Sequence, residues 1–236
     1  ALHDIIRDSV QQLPIPRRMR WGANREEFVR PVHWVVAMLG QDCVHGEILG
    51  VRTTNTTRGH RVHNPGLVTL TTPGAYESAL ADAKVLACFE RRRQRIREQV
   101  EAQARAIDAI PVIDPDLLDE VTALVEWPVA LTGTFEERFL SVPAEALISS
   151  MKAHQKYFHL VDHAGNLKPY FITIANLESA APEQVVAGNE RVIRPRLSDA
   201  AFFFETDKKT ALADRVAALG KIVFQQKLGT LLDKTE

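Results

Sequence analysis

Cysteine is nearly absent. The chain of 236 residues has two, Cys43 and Cys88, and they form no C-x-x-C pair. That excludes a disulfide scaffold and a thiolate zinc ribbon, and it fits a reducing, cytoplasmic setting. Long apolar runs are missing too: none approaches the ~18 residues of a membrane span, and no signal-peptide pattern opens the chain. The glycine-rich phosphate cradles G-x-x-x-x-G-K-[ST] and G-x-G-x-x-G do not occur, nor do G-x-S-x-G and H-E-x-x-H. The carboxylates fall mostly at helix starts and on polar faces, so no pair stands out as acid and base. A surplus of one charge is lacking as well. Lys plus Arg total 29 against 30 Asp plus Glu, a formal net charge of -1. The bulk field therefore does not draw in nucleic acid, and any such contact has to come from local patches.

What remains is ordinary for a folded chain: 45% hydrophobic and 25% charged residues, enough at this length for a sizeable core. The chain opens on Ala1 as if in mid-helix, the mark of a piece of something longer. Leu2, Ile5, Ile6, Val10 and Leu13 make a helical stripe that Pro14 and Pro16 end. A basic loop with Arg17, Arg18, Arg20 and Arg25 around Trp21 follows. Residues 32–39 read as one buried strand and 44–51 as a second. Residues 67–71 form a short strand, and Pro73-Gly74 turns into a helix over 75–87. The longest helix is expected over 89–107, on the seam Phe89, Ile96, Val100 and Ile107. Asp114-Pro115 starts another, with Leu117, Leu118, Val121, Leu124 and Val125 inward. A strand over 128–135, a helix carrying Leu147 and Met151, and a hairpin turning at residues 162–166 come next. Asp207 reads as the N-cap of an amphipathic helix with Leu212, Val216 and Leu219, and residues 222–232 as helix again. The class is α+β: a mixed or antiparallel sheet with packed helices, then a helical C-terminal segment. The divisions are 1–26, a helix and basic linker; 27–180, the α+β body; and 181–236, the helical segment.

The Arg17–Arg25 loop around Trp21 either holds single-stranded RNA or pins the loop onto a core, and four further stretches carry clustered cations, each open to two readings. Residues 188–207, GNERVIRPRLSDAAFFFETD, combine Arg191, Arg194 and Arg196 with Phe202, Phe203 and Phe204. Pro195 suits a first helical turn, so a helix from 195 to 205 is predicted, with Leu197, Ala200, Ala201 and Phe204 as its stripe. The arginines then stand at its positive end, where an anion would bind. Otherwise they are a solvated flank, and the phenylalanines seat the helix between layers or on a partner. Lys152, His154, Lys156 and Tyr157 form a second cluster, in which Tyr157 could stack on a splayed base. Arg58, His60 and Arg61, with His63, form a third. Two histidines on a flexible run make a poor metal set, which leaves polar surface or an anion contact. Arg91, Arg92, Arg93, Arg95 and Arg97 form the fourth, a solvated helix face or a backbone-phosphate contact.

The strings LPIPRRMRWG, FVRPVHWVV, TRGHR, LVEWPV, VPAEALISSMKAHQKYF, GNERVIRPRLSDAAFFFETD and FQQKLGTLLDKTE resemble, in order, the β subunit of bacterial glycyl-tRNA synthetase, from about residue 13 to the end. The resemblance implies an interior part of that subunit's N-terminal half, ahead of an HD-type domain, with a body likened to the B3/B4 domain of the phenylalanyl enzyme. It implies partners: the α subunit, tRNA(Gly) and the rest of the β subunit, without a membrane. It implies a glycine–tRNA ligase whose chemistry, with its ATP and magnesium, sits on the α subunit in an α2β2 assembly. No catalytic, cofactor-binding or metal-ligating residue is then expected in this chain. The expected role is tRNA recognition and assembly. The alternatives are an αβ-interface module without RNA contact, or a vestigial editing-like domain.

Overall fold

The structure is a computed structural model that describes residues 2–23 and 25–235. The expected mid-helix opening at Ala1, one residue of the basic loop (Asn24) and the closing Glu236 lie outside the described residues. The chain forms two compact units. One gathers the described residues of 1–97, 118–129 and 175–178; the other holds 98–117, 130–174 and the described residues of 179–236.

In the first unit, α1 (Leu2–Gln11) stops short of Pro14 as predicted. It docks through His3, whose Nε2 lies 2.9 Å from the Glu47 carbonyl oxygen. Gly46 leaves room for that ring, since a Cβ there would lie 1.9 Å from His3 Cδ2. The basic loop is a small ladder, β1 (Met19–Arg20) on β2 (Glu27–Phe28), closed by an Arg20–Glu27 ion pair of 2.6 Å. Residues 32–39 are not one buried strand. The run divides into β3 (Val35–Val36) and β4 (Met38–Leu39), and Ala37 between them is its one buried side chain. The strands take different partners: β4 folds back on β5 (Asp42–Cys43), while β3 pairs in parallel with β7 (Val51–Thr54). Residues 44–51 divide for a similar reason. Leu49 and Gly50 both have positive φ, 52° and 72°, as a mirror-image hairpin turn requires, so β6 (Glu47–Ile48) returns antiparallel on β7. Then come β8 (Thr56–Arg58) paired with β9 (Leu67–Thr69), and α2 (Tyr76–Asp82), shorter than expected. The first half of α3 (Phe89–Ala106) belongs to this unit.

Of the expected seam, Ile96 and Val100 are wholly buried and Phe89 is half-buried, whereas Ile107 lies beyond the end of α3 and Ala104 fills the buried position one turn after Val100. The second unit continues with β10 (Ile110–Pro111) and the start of α4 (Pro115–Leu124). Asp114 caps α4 as predicted, accepting from the Leu117 N–H at 2.9 Å. Leu124, expected inside, is the last helical residue and is 63% exposed. The strand β11 (Val129–Thr134), the helix α5 (Ala144–Ser150) and the hairpin of β12 (Phe158–Val161) and β13 (Leu167–Ala175) follow. The sheet runs β10-β12-β13-β11. Its Phe171 ring takes the space a side chain at Gly133 would need, with Cζ 2.4 Å from a Cβ built there.

The largest departure is α6 (Pro182–Asp207), one helix of 26 residues with Pro195 inside it. It, and not α3, is the longest. No helix begins at Pro195; Pro182 occupies the first turn instead. Pro195 lacks the N–H that would bond the Arg191 carbonyl. The helix passes through because Ile193 and Leu197, on either side, are both fully buried in a cluster with Phe139, Leu147, Met151, Tyr157 and Phe171. The stripe of Ala200, Ala201 and Phe204 packs on that cluster as expected. Asp207 consequently ends α6 and caps nothing. Beyond it lie a 3-10 stretch (Ala213–Lys221), the hairpin of β14 (Val223–Gln225) and β15 (Gly229–Thr230), and α7 (Leu231–Thr235). Residues 222–230 are thus not helical. A reciprocal cap sets the boundary: the Thr230 N–H donates to Asp233 Oδ2 at 2.7 Å, and the Asp233 N–H to Thr230 Oγ1 at 3.2 Å.

A continuous α6 makes the sign of one substitution informative. Pro195→Ala restores a mid-helix hydrogen bond and raises stability, by up to about 3 kcal/mol, read as a higher urea midpoint. At a helix start the same change would be neutral or destabilising.

Candidate functional site

In the second unit, the three arginines of α6 lie near its middle, away from the dipole end. The helical period puts Arg191 and Arg194 on one face and Arg196 about 140° round from Arg191. Arg191 and Arg194 are exposed, and Arg196 is half-buried. The Arg194 Nε meets Glu136 Oε1 at 2.6 Å. A hydrogen bond from its own backbone N–H, and then Arg194, hold the Glu136 carboxyl below its usual range. Such an exposed pair contributes little to stability and exchanges readily. Phe202 and Phe203 are 65% and 62% exposed, with rings edge-on at 5.6 Å. The expectation that they are buried between layers does not hold among the described residues, since the Ile193–Leu197 seam faces the core and leaves them outward.

The second cluster sits on a single π-helical turn, Met151–Gln155, that extends α5. Lys152 Nζ pairs with Asp114 Oδ2 at 2.7 Å. That hydrogen bond, then the Leu117 N–H, keep the Asp114 carboxyl below its usual range. His154 is exposed, and Lys156 ends the turn with a left-handed φ of 59°. Tyr157 points inward. It is 2% exposed, stacks on Phe171 at 4.4 Å, and donates to Asn189 Oδ1 at 2.6 Å. Burial pushes its hydroxyl up to about 12. Its ring is therefore a core side chain and offers no face to a base.

In the first unit, His60 is likewise interior, at 2% exposure. Its Nδ1 accepts from the N–H groups of Val62 and His63, so Nε2 carries the proton donated to the Asn176 carbonyl at 2.6 Å. The Asn176 side chain accepts from the N–H groups of Glu126 and Trp127 at 2.7 and 2.9 Å. The Glu178 N–H donates to His63 Nε2 at 2.9 Å, and the Trp127 indole donates to Glu178 Oε1 at 2.9 Å. The two histidines thus fasten the loop after β8. Arg58 and Arg61 stay outside, in a cleft of about 540 Å3 lined also by His33, Trp34, Gly59, Pro65 and Glu126. Trp34 was hidden inside the run read as a buried strand, yet it is 43% exposed. Its signal in the sequence is basic and aromatic residues side by side, in Arg30, His33 and Trp34, as in the loop around Trp21.

The arginine run of α3 is mostly engaged within the first unit. Arg91 pairs with Glu77 at 3.3 Å, Arg93 pairs with Asp119, and Arg95 lies 4.2 Å from the Trp127 ring centroid. Arg92 donates to the carbonyls of Thr122 and Leu86. Those carbonyls belong to the last turn of α4 and to the loop ahead of α3, so Arg92 works as a clamp. Among the described residues no group of three His, Cys, Asp or Glu side chains could hold a metal ion. No described helix is long and apolar enough to cross a membrane.

A family model described as glycyl-tRNA synthetase beta subunit matches residues 1–236. The chain belongs to that family. Curated relatives named glycine–tRNA ligase beta subunit share 60% identity in Chromohalobacter salexigens, 58% in Hahella chejuensis and 57% in Marinobacter nauticus. Each match covers 98% of this chain and 34%, 33% and 34% of the respective relative. The β-subunit segment described here therefore spans about a third of the relatives' length.

Tyr157 gives a pH prediction. A hydroxyl raised in the fold is protonated when its unfolded counterpart has ionised, so its stabilisation is complete below pH ~10 and falls as pH rises from there toward about 12. Over that window the protein loses up to about 1.4 kcal/mol per pH unit on this account. In urea titrations from pH 9 to 11.5, Tyr157→Phe should lie lower at pH 9 and show a shallower decline.

Proposed function

We propose that this segment serves tRNA binding and subunit assembly in a glycine–tRNA ligase, with glycine activation, ATP and magnesium belonging to a partner α subunit in the cytoplasm. The observation that carries the reading is the family match along the entire chain. The layout of the cations supports the RNA part. Arg191 and Arg194 stand exposed on one face of α6, and phosphate contacts of this kind position RNA without reading its sequence. Glu136 accepts from the Arg194 Nε at 2.6 Å, and a phosphate would replace it. Exposed phenylalanines support the assembly part. Phe202 and Phe203 together offer an apolar patch that nothing among the described residues covers, the kind of patch that marks a partner surface.

Replacing Arg191, Arg194 and Arg196 with Gln in the complete enzyme should flatten the plot of log Kd against log salt for tRNA by roughly 0.7–0.9 per lost contact. An unchanged slope in a folded variant would remove α6 from the RNA surface. In the same enzyme, Phe203→Ser should weaken αβ association and leave the unfolding midpoint of the β chain in place. A drop in that midpoint with association intact would make the patch part of the β fold alone.

A further inference from the structure

Trp34 lines two clefts of the first unit. The basic one, about 540 Å3, holds Arg58, Arg61 and His33 against a single carboxylate, Glu126. Two guanidinium groups against one acid leave it positive. The apolar one, about 470 Å3, is lined by Val36, Met38, Leu70 and Tyr76. Both volumes are in the range of small-molecule sites. The indole is oriented before any ligand arrives, because its N–H donates to Thr57 Oγ1 at 3.1 Å. Thr57 is in turn 4% exposed and sits in the β8–β9 ladder. Leu70, 1% exposed, is the floor of the apolar side. Tyr76, at 40% exposure, stands at its rim.

Both cations are exposed. Arg58 stands over the Trp34 ring, 5.8 Å from its centroid, and Arg61 makes no ion pair among the described residues. The loop that carries Arg61 is fastened by His60 to Asn176, so its position does not depend on a ligand. Gly59 between the two arginines is closely packed, with a Cβ built there 2.7 Å from Ala83 Cβ.

We propose that the two clefts together take one unpaired nucleotide of RNA. The base lies in the apolar cleft against Trp34 and Tyr76, and its phosphate meets Arg58 and Arg61. Every base has a π face, so stacking of this kind tolerates sequence, and a base held in a duplex cannot reach the indole. The inference rests on the RNA-binding function proposed above.

The test uses the full-length β subunit assembled with its partner and fluorescence anisotropy with two probes, a short single-stranded RNA and a blunt duplex of the same sequence. Trp34→Ala and Tyr76→Ala should each weaken single-strand binding by about 5- to 150-fold, and Trp34→Phe should keep most of it. The duplex should respond far less. Arg58→Gln with Arg61→Gln should flatten the single-strand salt slope by about 0.7 per contact. Tyr76 has an exposed ring and serves as the independent arm if Trp34→Ala lowers the unfolding midpoint. Wild-type binding of neither RNA would defeat the RNA function itself. Wild-type binding that Trp34→Ala and Tyr76→Ala both leave intact, or that falls equally for duplex and single strand, would defeat the nucleotide site alone.

Discussion

The second unit depends on the burial of Ile193 and Leu197, one turn apart on α6 and both with no exposed surface. Their contact with Phe139, Leu147, Met151 and Phe171 is what carries a helix of 26 residues past a proline. A proline in a helix interior costs about 3 kcal/mol, and two fully buried branched side chains contribute roughly 1.5–3 kcal/mol each. Continuity follows, and with it the placement of everything else on the helix. Arg191 and Arg194 share a face, Arg196 turns toward Tyr157, and Phe202 and Phe203 are left outward. The cations act as mid-helix point charges, so their attraction for an anion comes from the side chains and not from backbone N–H groups.

The first unit is arranged around a different device, a set of side-chain clamps in place of a large sheet. Its strands are two to four residues long, too short to hold their loops by ladder bonds alone. Asn176, His60, His63 and Glu178 supply the missing bonds across segments far apart in sequence. Arg92 does the same for the loop before α3. The polar residues that attracted a functional reading from their charge are in large part the ones that close this unit. Arg58, Arg61 and Trp34 are left facing the clefts.

The α+β class, the α4 cap at Asp114, the β12–β13 hairpin and the Ile96–Val100 part of the α3 seam are all legible from sequence, because each rests on local chemistry: an N-cap with proline behind it, a turn rich in Gly and Asn, a periodic apolar stripe. The misreadings share a cause. The local preference of Pro195 for a first helical turn is overridden by long-range burial on both sides. Hydrophobicity alone makes the run at 32–39 one strand, but its two halves pair with different strands and expose Trp34 and Leu39. Adjacency in sequence groups Tyr157 and His60 with cations, whereas the fold turns both inward. The T-x-x-D pattern at Thr230 marks a helix start there and argues against a helix running through 222–230.

We propose that this segment of the β subunit touches tRNA through Arg191 and Arg194 in one unit and through Trp34, Arg58 and Arg61 in the other. Photo-crosslinking of tRNA to the intact enzyme, followed by mass spectrometry of the crosslinked peptides, tests it most directly. The account predicts crosslinks in peptides spanning residues 188–196 and residues 33–61. Crosslinks confined to other parts of the enzyme, with none in these two stretches, would contradict it.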